Sequence, residues 1–248
     1  MSIQIINKES QAYGAFNGGE IVENKPIGFP REGGPTKPYS SLFYWANAIA
    51  KVDSTIGLHP HEGFEIMSFV LKGTIRHYDT QLKDWKELNE GDAQIIRAGN
   101  GISHAEHMAQ DARMFQIWLD PNINKTIQQP ASYDDYKAKA VPTSTQGDVE
   151  IFHYAGDKGI MHLDSTQISI QKWILNGTHL IEDQSAIHSI YMLTGNITIN
   201  GQNASTDDFV IIEDESAKLN GQGELFVIGS AKELEYETYG EMMQRRMK

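Results

Sequence analysis

Short apolar segments separated by turn residues recur along most of the chain. They are rich in Ile, Val, Phe and Tyr and are bounded by Gly, Asn and Asp, which is typical of strands in a sandwich or barrel. The pattern therefore predicts an all-β fold. The segments are EIMSFVL at 65–71, AQIIRA at 93–98, ARMFQIWL at 112–119, VEIFHYA at 149–155, AIHSIYML at 186–193, NITIN at 196–200 and ELFVIG at 224–229.

Helix signals are few. The segment SYDDYKAKA, 132–140, offers Ser132 as an N-cap and is followed by Pro142, so it is predicted to form one short helix. The final segment, ELEYETYGEMMQRRMK, predicts a second helix that is interrupted at Gly240.

A weak internal repeat divides the chain into two similar β-units. FVLKGTI at 69–75 matches YMLTGNI at 191–197, and GDAQIIRAG at 91–99 matches DDFVIIEDE at 207–215. The segment between the copies is rich in Pro, Asn, Gln, Thr and Ser, as a connection between domains should be. We therefore expect an N-terminal domain at 1–130 and a C-terminal domain at 131–248.

Two motifs in the first copy carry candidate metal ligands. HPHEGFE places His59 two residues before His61, and GNGISHAE places His104 two residues before Glu106. Residues i and i+2 of a β-strand point to the same face, so two neighbouring strands could aim three imidazoles and one carboxylate into one pocket. Such nitrogen and oxygen donors suit a divalent transition metal better than Ca²⁺ or Mg²⁺.

The second copy has lost these ligand types. The repeat places Ile181 and Asp183 where the first copy has His59 and His61. It places Asn220 and Gln222 where the first copy has His104 and Glu106. We therefore expect one metal ion per chain, in the N-terminal domain, with a C-terminal domain that lacks metal ligands.

Composition narrows the partners and the cellular compartment. The 248 residues carry a formal net charge of −12 and no cysteine, which opposes direct binding to nucleic acid or anionic lipid and excludes thiol chemistry. The first residues lack the pattern of a signal peptide, and no segment is apolar for long enough to cross a bilayer. A cytoplasmic protein without a membrane partner is expected.

The combined spacing resembles the pirin family of the cupin superfamily. The resemblance rests on HPHEGFE, on LKG at 71–73, on EGD at 90–92 and on AGNGISHAE at 98–106. It implies a bicupin, with two antiparallel β-barrels of jelly-roll type and one divalent metal ion in the N-terminal barrel. Iron is the metal that the resemblance favours, and Ni, Cu, Mn, Zn and Co are the alternatives.

By the same resemblance the metal ligands are His59, His61, His104 and Glu106. Glu65 is the competing acidic residue, because many other cupins have their carboxylate ligand near this place; we expect it to orient an imidazole N–H instead. Glu62 departs from the family pattern, in which many pirins have arginine, and makes the entrance more acidic.

The resemblance implies two functions of different classes. One is a dioxygenase that opens flavonols such as quercetin with O2, with Glu106 as the catalytic proton acceptor and Met67 and Phe69 lining the substrate cavity. The other is a metal-bearing, redox-sensitive regulatory protein that binds a protein partner without catalysis. Isomerisation or hydrolysis of an unrelated small molecule at the metal is a third alternative.

His77 is expected to be a hydrogen-bonded wall residue rather than a fifth ligand. The glycines of AGNGI do not belong to a phosphate-binding loop, since no G-x-x-x-x-G-K-[ST] pattern follows, and no G-x-S-x-G elbow supports nucleophilic hydrolysis.

Overall fold

The computed structural model describes residues 3–29 and 31–246. Within this part of the chain the strands, in order, are β1 Ile3–Ile6, β2 Ala12–Phe16, β3 Ile21–Ile27, β4 Leu42–Ala50, β5 Ser54–His61, β6 Glu65–Lys72, β7 Thr74–Asp79, β8 Trp85–Asn89, β9 Ala93–Arg97, β10 Ile102–Met108, β11 Arg113–Leu119, β12 Ser132–Tyr136, β13 Thr143–Gln146, β14 Val149–Ala155, β15 Ser169–Ile181, β16 Ala186–Ile199, β17 Gln202–Ser205, β18 Phe209–Ile212 and β19 Ala217–Ala231. The α-helices are α1 Ile123–Thr126 and α2 Tyr239–Arg246, and 3₁₀ turns occur at Lys8–Ser10, Asn17–Gly19 and Ala138–Ala140.

The contacts group the described residues into two units. The first unit comprises 11–139 and 235–246, and the second unit comprises 3–10 and 140–234. Each unit therefore includes a segment from the far end of the chain. The division into domains at 1–130 and 131–248 stays a prediction.

The first unit is a sandwich of two antiparallel sheets. The larger has the strand order β12-β9-β6-β11-β4-β3-β2, and the smaller has the order β5-β10-β7-β8. Apolar side chains from both sheets fill the space between them, among them Ile21 and Met114 of the larger sheet and Ile75 and Met108 of the smaller. Because the inner residues alternate with outer ones, each strand contributes every second side chain to this core.

The second unit is built from one antiparallel sheet with the order β1-β18-β16-β19-β15-β14-β13, in which β17 also pairs with β16. Its long strands bend where glycines lie side by side: Gly177 pairs with Gly221, and Gly195 pairs with Gly223. Gly177, Gly195 and Gly221 have φ of +143°, +89° and +140°, values that glycine adopts without a steric penalty. Both halves of the bent strands consequently cover the same core.

The repeat found in the sequence corresponds to matching local structure. In the first unit the Asn89 N–H donates to Asp92 Oδ2 at 3.0 Å, and in the second the Ser205 N–H donates to Asp208 Oδ2 at 2.9 Å. The same turn thus precedes β9 in one unit and β18 in the other. The prediction of an all-β bicupin with jelly-roll sheets is confirmed by these antiparallel sheets; within the described residues, none of the sheets closes into a barrel.

The helix predicted at 132–140 is wrong. Residues Ser132–Tyr136 form strand β12, which pairs with β9 at the edge of the larger sheet, and only Ala138–Ala140 make a 3₁₀ turn. Pairing with an exposed sheet edge satisfies more backbone groups than an isolated helix of two turns would, so tertiary context overrides the local signal.

The C-terminal helix is present as α2, which begins beside Gly240 instead of breaking there. Gly240 lies against Pro38, where an added Cβ would be 3.0 Å from the Pro38 Cβ. Residues 247 and 248 of the predicted segment lie outside the described residues. Neither α-helix of the described chain has the length and apolar character of a membrane span.

Candidate metal centre

Strands β5 and β10 bring the two histidine motifs together. They pair antiparallel, with His59 opposite His104 and His61 opposite Ile102. The register shifts between His104 and Glu106: His104 pairs with His59 but Glu106 pairs with Ile56, so β5 advances three residues while β10 advances two. This bulge aims the end of β5 toward β10 and gathers the imidazoles at one end of the smaller sheet.

Three imidazoles converge on one point. One nitrogen from each of His59, His61 and His104 lies within 4.8 Å of the other two, and the Nε2 atoms of His61 and His104 are 2.9 Å apart. Two imidazole nitrogens bound at right angles to one ion, each ~2.0–2.1 Å from it, would also be about 2.9 Å apart. The spacing of His61 and His104 therefore fits a transition-metal ion.

Hydrogen bonding prepares His59 for the same role. Its Nδ1 lies 2.7 Å from the Gly57 carbonyl oxygen, which can only accept a hydrogen bond. Nδ1 must therefore carry the proton, and the lone pair of the neutral ring lies on Nε2. In the described residues, Nδ1 of His104 is buried without a hydrogen-bond partner.

Burial keeps the two inner rings neutral. It lowers the pKa of His61 to about 3, helped by the neighbouring His104 and His59, and it lowers the pKa of His104 well below its ordinary value, helped by His59 and His77. Since only a neutral imidazole can donate a lone pair to a metal, this environment favours ligation at neutral pH.

Glu106 is fully buried beside this group but is not one of the three converging residues. Its Oε1 accepts a hydrogen bond from Ser68 Oγ at 3.0 Å, and its Oε2 accepts one from Gln116 Nε2 at 2.6 Å. Both donors are neutral, so the carboxylate has a defined position without an ion pair. Its closeness to His61 is evident from its electrostatic influence on that ring.

An indole fixes the orientation of Gln116. The Trp118 Nε1–H lies 3.4 Å from Gln116 Oε1, and an indole nitrogen can only donate. The amide oxygen must face Trp118, and the amide nitrogen must face Glu106. The hydrogen bond to the carboxylate thus follows from the neighbouring tryptophan.

A buried polar network continues from Ser68 into the sandwich. Gln94 Nε2 donates to Ser68 Oγ at 3.4 Å and contacts His77 Nδ1 at 3.3 Å, while His77 Nε2 contacts Asp79 Oδ2 at 2.9 Å. The Tyr133 ring stacks on His77 with a centroid distance of 4.8 Å. His77 is therefore a hydrogen-bonded wall residue, as predicted.

Aromatic rings line the mouth above the imidazoles. The Trp118 ring lies 4.8 Å from the His61 ring, edge to face, and 5.3 Å from the Tyr44 ring. Phe64 lies 5.7 Å from Trp118 on the other side. These mutually tilted rings give the centre an aromatic wall beside His61.

The predicted role of Met67 and Phe69 is wrong. Ser68 points to Glu106, and neighbouring residues of a strand point to opposite faces. Met67 and Phe69 therefore lie on the other face of β6, where they are buried away from the ligand group. The alternation assumed from HPH does not continue across the turn, because Gly63 has φ of +77°.

Glu65 also lies on that opposite face. It is buried, and its charge acts on the Arg97 guanidinium of the paired strand. The predicted contact of Glu65 with a ligand imidazole is therefore not made.

Sequence reasoning missed the residues that hold Glu106. Ser68, Gln94 and Gln116 are uncharged polar residues in the middle of apolar segments, and all three are buried. A polar residue inside such a segment needs a hydrogen-bond partner, which is the signal that could have identified them.

Comparisons with known proteins agree with this fold. Residues 24–119 match the Pirin family model. The chain is 27% identical over 195 residues to a quercetin 2,3-dioxygenase of Escherichia coli K12, an alignment that covers 72% of this chain and 76% of that protein.

Solved structures show the same fold. Bacterial pirin YhhW from Escherichia coli, in complex with nickel(II), aligns with a TM-score of 0.75 and 22% identity over 92% of this chain and 99% of that one. A quercetin 2,3-dioxygenase from Acinetobacter baumannii aligns with a TM-score of 0.76 and 18% identity over 99% of this chain and 87% of that one.

The antiparallel sheets define a cupin fold, and the histidine group at the end of the first sandwich is its candidate metal site. The match of residues 24–119 to the Pirin family model, together with these relatives and structures, supports an assignment to the pirin family.

Proposed function

We propose that this protein is a metal-dependent dioxygenase that opens a flavonol such as quercetin with O2. The proposal depends on one observation: three imidazoles converge beside a buried, hydrogen-bonded carboxylate under an aromatic wall. It is supported by the relative from Escherichia coli that is named a quercetin 2,3-dioxygenase.

In this proposal His59, His61, His104 and Glu106 hold one divalent ion. The Nε2 separation of 2.9 Å and the fixed tautomer of His59 fit such an ion. Iron is the proposed metal, and Ni, Cu, Mn, Zn and Co remain alternatives, because binding strength alone follows the Irving–Williams order. The bound ion would lower the pKa of a substrate hydroxyl and bring the substrate and O2 together.

Glu106 acts as the proton acceptor. Its carboxylate receives the proton of the flavonol hydroxyl, while Ser68 and Gln116 keep its two oxygens in place. In the overall reaction both atoms of O2 enter the opened ring, and one ring carbon leaves as carbon monoxide.

The aromatic wall selects a flat substrate. Trp118 and Phe64 offer ring surfaces next to His61, so a planar aromatic molecule can stack beside the centre. A substrate that lacks this planarity would lose the stacking and bind more weakly.

The test is anaerobic addition of quercetin to the metal-loaded protein, followed by air. We expect the flavonol absorbance to disappear with release of carbon monoxide. Glu106→Gln should slow the reaction by about 100-fold or more, because general-base catalysis is lost.

Glu90→Gln is the matched control, since Glu90 is exposed, and it should react as the native protein does. If the native metal-loaded protein leaves quercetin unchanged in air, the proposed activity is wrong. Equal rates for Glu106→Gln and native protein would remove Glu106 from its proposed role.

A further inference from the structure

The second unit has an open cavity of about 680 Å³, lined only by residues between 144 and 231. Its walls include His153 of β14, Gln171 of β15 and His188 of β16. These residues share the strand faces of the core residues Ile151 and Trp173, so the cavity is the mouth of the second unit above its apolar core. Its volume is within the range of about 300–1,000 Å³ that holds small ligands.

The cavity is open because the second unit has small residues where the first has large rings. The repeat makes Val70 equivalent to Met192. Val70 pairs with Met114 and Met192 pairs with Leu225, so Met114 is equivalent to Leu225. Four residues further along the same strands, Trp118 is equivalent to Gly229. The indole of Trp118 lies beside His61 in the first unit. Gly229 has no side chain at the equivalent position, and the nearest atom to a Cβ placed there would be the Ser169 Oγ at 2.7 Å.

Two further positions show the same change. Trp118 pairs with Tyr44, whereas Gly229 pairs with Ser169. By the repeat, Ala186 stands where the first unit has Phe64. Three aromatic side chains of one mouth thus correspond to glycine, serine and alanine in the other.

One wall of the cavity is a directed chain of hydrogen bonds. Trp173 Nε1–H donates to Gln171 Oε1 at 2.6 Å, so the amide nitrogen of Gln171 faces His153 Nδ1 at 3.4 Å. Nδ1 of His153 therefore accepts, and its Nε2–H donates to Ser144 Oγ at 2.7 Å. Each bond polarises the next in the same direction.

This direction assigns binding rather than catalysis to Ser144. A nucleophilic serine must give its proton to an imidazole nitrogen with a lone pair, but the nitrogen of His153 that faces Ser144 already carries a proton. The Ser144 hydroxyl accepts from His153, and its own proton is directed to a cavity ligand. Burial, together with Lys158, lowers the pKa of His153 and keeps the ring neutral.

The opposite wall presents an acceptor. His188 Nε2–H donates to the Asp183 carbonyl oxygen at 2.8 Å, so the neutral ring has its lone pair on Nδ1. A Cβ placed on Gly229 would lie 4.0 Å from that Nδ1, so the nitrogen faces the space where the first unit has its tryptophan. The charged residues of the lining are Lys158, Asp157 and Asp183, and all three are exposed.

We propose that the mouth of the second unit binds an uncharged, polyhydroxylated ring compound of the size of a mono- or disaccharide. Ser144 donates to such a ligand and His188 accepts from it, while Ile151 and Trp173 form an apolar floor. A hydroxyl group is both donor and acceptor and matches both walls. The exposed charges at the rim are of both signs and favour no strongly charged ligand.

The test is saturation-transfer NMR on the full-length protein with glucose, maltose and myo-inositol as separate probes, and quercetin as the comparison arm. We expect signal transfer to at least one of the three polyols. Quercetin should not displace that polyol. No transfer to any polyol, or displacement of the polyol by quercetin, would overturn the proposal.

Two variants, each with a matched control, test whether the polyol binds in this cavity. Ala186→Phe restores the ring of the first unit and should abolish binding, whereas Ala140→Phe, at an exposed position, should leave it unchanged. Ser144→Ala should weaken binding by about three- to tenfold through loss of one hydrogen bond, whereas Ser205→Ala should not.

Circular dichroism verifies that each variant is folded, and the metal content of all four should equal that of the native protein. If Ala186→Phe does not fold, Ser144→Ala decides the question. Unchanged polyol affinity in the folded Ser144→Ala or Ala186→Phe variant would show that the cavity is not the binding site.

Discussion

The mouths of the two units differ although their strand frameworks correspond. The first is occupied by three imidazoles and by the rings of Trp118 and Tyr44, while the second is open around Gly229 and Ser169. An indole that orients a glutamine nevertheless occurs in both, as Trp118 with Gln116 and Trp173 with Gln171. The fold thus fixes the framework, and a few side chains at the strand ends determine the chemistry.

The variant with the largest expected effect tests whether the metal ion binds at the first mouth and not at the second. His61→Ala removes one of the three converging nitrogens and should reduce bound metal from about one ion per chain to nearly none. His188→Ala, in the second mouth, should keep the metal. Elemental analysis of both variants, purified without added metal, measures this; full metal content in His61→Ala would contradict the assigned site.

The next effect concerns Asp120, which follows Trp118 and Leu119 and corresponds to Ala231 in the second unit. Burial raises the pKa of Asp120 to about 7. A carboxyl with a raised pKa in the folded state binds its proton more tightly there, so the contribution of Asp120 to stability is greatest below pH 4 and falls as the pH rises toward 7.

Asp120→Asn removes this dependence. At 1.36 kcal/mol per pKa unit, the native protein should lose on the order of 4 kcal/mol more than the variant between acid and pH 8. Urea unfolding at several pH values measures the difference. Asp111→Asn, at an exposed position, should follow the native curve; identical pH profiles for Asp120→Asn and native protein would refute the raised pKa.

A smaller effect tests the indole-oriented glutamines. Gln116→Leu removes the 2.6 Å hydrogen bond to Glu106 and should weaken metal affinity by about 10- to 100-fold, as loss of a residue that orients a ligand does. Gln171→Leu, which changes the indole-oriented glutamine of the second unit, should leave that affinity unchanged. Competition with a chelator gives both values, and equal affinities would show that Gln116 does not support the centre.

The smallest effect compares the matching turns of the repeat. Asp92→Ala and Asp208→Ala each remove a side-chain acceptor for a turn N–H and should lower the free energy of unfolding by about 1 kcal/mol. The cost should be larger for Asp92, which also binds Lys137 and the Ala138 N–H. Denaturant unfolding measures both; a larger loss in Asp208→Ala would reverse this ranking.

Convergence of His59, His61 and His104 could be predicted from the sequence because side-chain alternation operates within one strand. Ser68 and Gln116 could not be placed on Glu106, because their contacts depend on which strands pair and in which register. The error at Met67 has the same origin: the chain turns at Gly63, and the alternation of β5 does not determine the face of β6.

Helix prediction failed at Ser132–Tyr136 for a related reason. Local preference describes an isolated segment, whereas the edge of β9 provides backbone partners that no local pattern reveals. The C-terminal helix was predictable as an element, but its contact with the first unit was not, since that contact depends on Pro38 and Phe43 far away in the chain.

The first unit includes residues 235–246, which follow the second unit in the chain, and this has a consequence for biosynthesis. Tyr239 of α2 packs against Phe43 and Phe64, next to the metal-binding end of the first unit. These aromatic contacts can form only after Tyr239 has left the ribosome. The first unit therefore lacks these contacts until the second has been synthesised, and a nascent chain arrested at residue 130 would expose the ring surface that α2 covers.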